Sequence, residues 1–426
     1  MGQTLDFAQG VGLFSEAYAN GLIQLPPKTA KLYNMIPFEA KERQPGSLYH
    51  QPVIVTRENG TIFNSDGSAF TLTDPGPQAA VYADAQIRGT EICHPSRISY
   101  GAISRAVGGV KQFVDSTKAF VVSNSHAMAF ALELSLLYGQ TSIGATSSVT
   151  ASGTTGTLVF TAATWAPGIW VGSEGRYLDV YQLMSSSTPT NSTAAVIVSS
   201  VTFSTRTVNF TCNSSDAAAL DALTTAFVFR RGCKTGATSY NEFAGLDAIL
   251  TTTTGNLFNV STAYSLWQAT SYDCGSASLT MQKIQMGLTG AINRGLEDDV
   301  VFVCSPATWA DVMSDLAALR MFDSSYASAR VESGSENIKL HSQNGVIEFV
   351  SHILCKEGEA FAFPKSAAKR IGSTEPTYRT PGVSDQQLLL QLPQNAGWEF
   401  RSYTDQALFI NMPATCVKFT GIVNTT

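Results

Sequence analysis

KAFVVSNSHAMAFALELSLLYG, residues 118–139, carries the clearest helical pattern in the chain. Asp115 or Ser116 is placed to serve as its N-cap, and Gly139 marks its end. Val121, Met128 and Leu132 fall on one face, while Phe130, Leu134 and Leu137 fall on another. Lys118 and Glu133 are its only charged residues. A helix of about 20 residues is about 30 Å long. One that is apolar on two sides belongs beneath a sheet or between layers.

Upstream, residues 1–45 mix short apolar groups with Pro26, Pro27, Pro37 and Pro45, which reads as a short helix followed by an extended arm lying on something else. Residues 46–105 alternate as strands, through Tyr49, Val53, Val55 and Ile62, then Val81 and Ile87. Between them lies a turn-rich tip from Asn59-Gly60 to Asp74-Pro-Gly-Pro77. A long two-stranded hairpin does not hold itself up alone. It needs a partner.

Downstream, residues 141–238 change texture. Ser/Thr-rich strands with Gly and Pro punctuation, helical only near Asp216–Ala226, predict a small β-barrel or sandwich inserted between two regions of different composition. The remainder is mixed. Ser278 is read as the cap of a helix with the stripe Met281, Ile284, Leu288, Ile292 and Leu296. The strand Val300–Cys304 then leads through Ser305-Pro306 into a helix with Trp309, Val312, Met313 and Leu316 inward. Residues 347–355 and 360–363 are read as a hairpin across Lys356-Glu-Gly358. Three strand-like segments close the chain, at 398–403, 408–412 and 417–423.

Composition points to a surface that is not all meant for water. The 426 residues are 44% hydrophobic and only 14% charged, against roughly 25% charged in ordinary soluble domains. Burial against copies of itself is one resolution, and a hydroxyl-rich β surface is the other. The net charge of -6 offers no overall attraction to nucleic acid. Lys28, Lys31, Lys41 and Arg43 are the one basic concentration near the start. Seven scattered cysteines without a CxxC pair read as reduced and buried. No signal-peptide pattern opens the sequence, and no apolar run is long enough to span a membrane.

The order of elements, with FALELSLLYGQ (130–140), NEFAGLDAIL (241–250), VVFVCSPATWADVMSDLAALRMFD (300–323), NGVIEFVSHILCKEGEAF (344–361), KRIGS (369–373) and SYTDQALFINMPATCVKFTGIV (402–423), resembles the major capsid proteins of tailed bacteriophages. The resemblance implies an α+β, Hong Kong 97-type capsid fold. Its parts would be an N-terminal arm (1–45), an E-loop with flanking P-domain strands (46–105), and the P-domain spine helix (106–140). A small all-β insertion domain (141–238), an A domain with returns to the P domain (239–390) and C-terminal strands (391–426) would follow. It implies hexamers and pentamers of an icosahedral shell enclosing double-stranded DNA, located in the virion and assembled in the host cytoplasm.

Partners implied are copies of the chain, a portal and a separate scaffolding protein, with a decoration protein as an optional addition. A separate scaffold is expected because the E-loop begins near residue 46, leaving no room for a fused one. Phe63, Phe70, Arg57 and Arg88 around the loop, with Lys28 and Lys31 of the arm, are candidate inter-subunit contacts. Some relatives weld subunits through an E-loop lysine. No lysine occurs between Lys41 and Lys111, so non-covalent packing is expected of this loop. An encapsulin-like compartment shares the fold and is the nearest alternative; a β-rich adhesin is a more distant one.

The residues argue against catalysis. GxGxxG, GxxxxGK[ST], HExxH, GxSxG and DxDxDG are all missing, and five histidines leave little acid–base material at neutral pH. No cofactor or metal is expected. His352 and Cys355 are read on one strand, where an i,i+3 pair points to opposite faces. Glu297-Asp298-Asp299 reads as a solvated turn. Trp165 and Trp170, around Pro167-Gly168, read as the plug of a small barrel in preference to a sugar platform.

Overall fold

A computed structural model describes residues 30–39, 48–63, 76, 78–99, 110–320, 339–342, 345–378, 390–391 and 397–425. The chain begins with a one-turn helix, α1 (Lys31–Met35), and then an antiparallel hairpin of β1 (Tyr49–Ile54) and β2 (Tyr82–Ile87). Strand β3 (Thr90–Ser99) leads to the long helix α2 (Val110–Tyr138). The helix thus starts before Asp115 and Ser116, which lie inside it and are not its cap. Its end falls where expected, for a different reason. A Cβ on Gly139 would meet the Phe243 carbonyl oxygen at 2.2 Å, whereas the left-handed φ of +64° is taken by Gln140.

The chain then enters a closed antiparallel barrel. Its strands are β4 (Gly144–Ser152), β5 (Thr155–Phe160), β6 (Tyr177–Tyr181), β7 (Val196–Thr202), β8 (Thr207–Thr211) and β9 (Phe227–Arg230), in the order β4-β5-β8-β7-β6-β9. Closure leaves no free edge in this sheet. Leu158, Phe160, Leu178, Val180, Val196, Val198, Val208, Phe210 and Val228 alternate inward as its core. Two short helices interrupt it: α3 (Pro167–Trp170) and α4 (Ser214–Asp221), the latter capped by Asn213.

Past the barrel, α5 (Leu246–Thr251) and a two-residue hairpin of β10 (Asn256–Leu257) and β11 (Val260–Ser261) precede β12 (Thr270–Ala277) and α6 (Met281–Ile292). Thr280, not Ser278, caps α6: its hydroxyl accepts from the Lys283 N–H at 3.4 Å, and Ser278 is two residues too early to reach. Next come β13 (Val300–Cys304), α7 (Pro306–Arg320), β14 (Lys339–Ser342), β15 (Gly345–Ser351) and β16 (Ala360–Pro364). Ser305 caps α7 as expected, accepting from the Thr308 N–H at 3.1 Å. The last strands are β17 (Ala368–Thr377), β18 (Leu390–Gln391), β19 (Gly397–Ile410) and β20 (Val417–Ile422).

Two sheets organise the body. The first is β12-β20-β16-β13-β15-β14, with β13 at its heart. All five β13 residues are buried, and successive side chains enter opposite cores. Val301 and Val303 join the cluster beneath α2 and α5. Val300, Phe302 and Cys304 join that of α6 and α7. A strand buried on both faces takes the centre of a sheet. For that reason β15 and β16 do not pair with each other as a hairpin; β13 lies between them, parallel to β15 and antiparallel to β16.

In the second sheet β19 is central, with β3 along one edge and β17 and β18 along the other. Segments 398–403 and 408–412, read as two strands, form one 14-residue strand up to Ile410. Helix α2 lies across this sheet, and Asn124 donates to the His94 carbonyl at 3.1 Å.

Candidate inter-subunit surfaces

Alternation along the hairpin produces two unlike faces. Tyr49, Gln51 and Val53 pair with Ile87, Ala85 and Ala83 on the inner face, which sinks toward the body at Ala85 and Ile87. Pro52 and Ile54 pair with Asp84 and Tyr82 on the outer face. The base is fixed: the Gln86 N–H donates to the Phe258 carbonyl at 2.9 Å, and Tyr49 meets the edge of Phe409. Beyond it Val55 is buried again, but large apolar side chains stand open to solvent. Ile54 is 59% exposed, Tyr82 72% and Phe63 90%. Asp84 accepts hydrogen bonds from Gln86 (3.0 Å) and His50 Nδ1 (2.7 Å), which hold its carboxyl below the usual carboxylate range.

The structure separates the candidate contact residues. Phe63 and Arg57 sit on the outlying hairpin, both exposed. Arg88 lines a cleft of ≈ 1040 Å³ at the hairpin base, along with Glu91, Glu242, Phe258 and Asp405. Lys31 is exposed but donates to the Ser351 carbonyl of its own subunit at 2.9 Å. Phe70 and Lys28 lie outside the described residues. Ile54 and Tyr82 were not singled out from sequence, although Val53-Ile54-Val55 carries the signal: three successive apolar residues in a strand cannot all face one core.

A buried knot holds the arm. Glu133, fully buried on α2, accepts the Leu32 and Tyr33 N–H groups at 2.6 and 2.8 Å, and its Oε1 lies 2.7 Å from His352 Nε2. Arg370 stacks over Tyr33 at 4.0 Å and donates to the Ile36 carbonyl. His352 therefore has a partner at each ring nitrogen, since Nδ1 meets the Leu354 N–H at 3.1 Å. It and Cys355 lie in the turn after β15, not on a strand as read from sequence. Among the described residues no cluster of three potential metal ligands occurs. Asp298 and Asp299 accept from Ser366 and the Val346 N–H, so that acidic turn ties neighbouring segments together.

The barrel is clasped at its exit strand. Arg230 donates to the Ala131 carbonyl, to Ser135 and to Glu242, joining β9 to the end of α2. Trp165 and Trp170 are 2% and 0% exposed, stacked 6.1 Å apart and packed on Phe160. They offer no open face to a sugar. The Trp165 carbonyl accepts from the Glu357 N–H, and Gly168 donates to Ile353, so this side of the barrel meets the body.

No protein-family profile matches this sequence, and no curated protein does. Solved structures do. The capsid asymmetric unit of cyanophage A-1(L) superposes with a TM-score of 0.59 at 10% identity, over 98% of this chain and 99% of that one. The chain has the Hong Kong 97-type capsid fold. The capsid of a native GTA particle matches with a TM-score of 0.50 at 8% identity, over 98% of each chain. An encapsulin, holo-SrpI from Synechococcus elongatus, aligns with a TM-score of 0.45 at 7% identity. The β1–β2 hairpin falls within the stretch read as the E-loop, and α2 within that read as the spine helix. The barrel is an insertion between spine helix and α5. None of the helices among the described residues is long and apolar enough to cross a membrane.

Proposed function

We propose that this chain is the major capsid protein of a tailed bacteriophage. Its job is structural: it self-assembles into hexamers and pentamers of an icosahedral shell that encloses double-stranded DNA in the virion. The observation that carries this reading is the E-loop. It is fixed to the body at its base and presents Ile54, Tyr82 and Phe63 to solvent. Large apolar side chains exposed on an outlying arm are interface anchors awaiting a partner, and a second copy supplies one at every position of a shell.

The E-loop lies over one neighbour; the rest of the N-terminal arm, read from sequence as reaching another, lies outside the described residues. Many individually weak contacts close the shell. Residues 141–238 are an inserted module on the capsomer, 239–390 form the A domain with its returns to the P domain, and 391–426 supply the C-terminal strands. A separate scaffolding protein guides assembly in the host cytoplasm, a portal occupies one vertex, and a decoration protein has the barrel as a neighbour. The net charge of -6 suits containing DNA without gripping it.

Negative-stain microscopy of the purified chain tests the proposal. Closed polyhedral shells or capsomers are expected; monodisperse monomers at all concentrations would overturn it. Nuclease-protected DNA in particles from infected cells separates a capsid from an encapsulin-like compartment, whose contents are protein.

A further inference from the structure

Four charged side chains from distant parts of the chain meet under the end of the spine helix: Asp247 on α5, Lys418 on β20, and Lys356 and Glu359 in the turn before β16. Lys418 Nζ donates to Asp247 Oδ1 and to Thr251 Oγ1 (3.0 Å), and lies 3.3 Å from Glu359 Oε1. Asp247, Lys418 and Lys356 are each at least 93% buried. The other oxygen of Glu359, Oε2, is buried with no hydrogen-bond partner, its nearest cation being Lys356 Nζ at 3.9 Å. Lys356 in turn sits over the Tyr138 ring at 4.0 Å.

We propose that Lys418 and Asp247 condense into an intramolecular isopeptide bond, with Glu359 as the proton carrier. Three features of the site converge on this. The nucleophilic nitrogen is held against the carboxyl group by burial on every side, which converts a bimolecular encounter into a positioned one. A second carboxyl group touches the same nitrogen and keeps one oxygen free of hydrogen bonds. Burial and the Asp247 charge push Glu359 upward from the usual carboxyl range, as suits a group that both takes and returns a proton. Buried ion pairs also carry a desolvation cost. Condensation removes one cation and one anion, leaving Lys356 and Glu359 as a balanced pair.

The step is redox-neutral. A proton passes from Nζ to the Asp247 carboxylate, so the resting ion pair becomes an amine and an acid. Nζ attacks Cγ; Glu359 takes a second proton from the nitrogen and delivers it to the departing oxygen. One C–N bond forms, one C–O bond breaks, and one water leaves. The product ties α5 to β20 across 171 positions of sequence, within one subunit and without any part for the E-loop.

Intact-mass spectrometry of the denatured full-length chain is the test. The wild-type mass is expected one water below that of the sequence, with a branched peptide joining the segments around Asp247 and Lys418. Glu359→Gln, which keeps both reacting groups, is expected to stay at full mass while its circular dichroism remains that of the folded chain. A folded wild-type protein at full mass, or a water loss that maps elsewhere, would overturn the bond. A Glu359→Gln chain that still loses water overturns the role given to Glu359. The readout is the same on shells and on lone subunits, so it does not depend on the capsid reading.

Discussion

The inserted barrel and the E-loop are both antiparallel β structure, yet they solve the problem of exposed surface in opposite ways. The barrel closes on itself. Each strand finds two neighbours, the core residues point inward, and Trp165, Trp170 and Phe160 pack where it meets the body. The described E-loop pairs two strands whose outer face is uncovered, and Ile54 and Tyr82 sit opposite each other in water. One region is complete as a chain segment. The other, on the proposed reading, is completed by a neighbouring copy.

The contrast can be broken or sharpened by four substitutions. Trp170→Ala deletes a fully buried indole from the barrel and is expected to cost about 3–5 kcal/mol, read as a lower midpoint in chemical denaturation. A negligible shift would mean the barrel does not depend on its packed aromatics. Glu133→Ala orphans two backbone N–H groups and His352, at about 1–3 kcal/mol. Its signature is faster amide exchange at Leu32 and Tyr33, and unchanged exchange there would deny the knot its role.

Tyr82→Asp sharpens the other side. On an exposed strand position it should alter subunit stability by only about 0.5 kcal/mol, while shells fail to form at concentrations where the wild type assembles. If Tyr82→Asp assembled normally, the outer face of the hairpin would not be an interface. The smallest effect concerns Asp84, whose folded-state pKa lies below its unfolded value. Its stabilisation is therefore present above about pH 4 and lost as pH falls through the folded value. Asp84→Asn should remove that acid-side component from the unfolding profile of the hairpin, and an identical profile would refute it.

Much of this arrangement could be read from the sequence where local pattern and burial agree. The spine helix, the inserted β segment, Val300–Cys304 and the Ser305 cap all follow from periodicity, turn residues or caps. The misreadings arose where tertiary contacts decide. Asp115 and Ser116 are good caps in isolation, but the helix runs through them from Val110. Residues 345–351 and 360–364 are close in sequence, yet the more apolar β13 takes the place between them. Of the surface, Phe63 and Arg57 were legible as loop residues. Tyr82 was not, because only register shows which face of a strand it occupies. The meeting of Asp247, Glu359 and Lys418 was invisible for a similar reason, since three separate segments supply it.

The close approach of Gly139 and Gly245 has one more consequence. The Gly245 N–H donates to the Gly139 carbonyl at 3.0 Å, so the polypeptide leaves the body and rejoins it at a single point. Anything spliced there needs only termini that lie side by side, and the rest of the chain feels no tension from the size of the guest. That makes this position a natural socket, into which a domain of another size could be set while α2 and α5 keep their places.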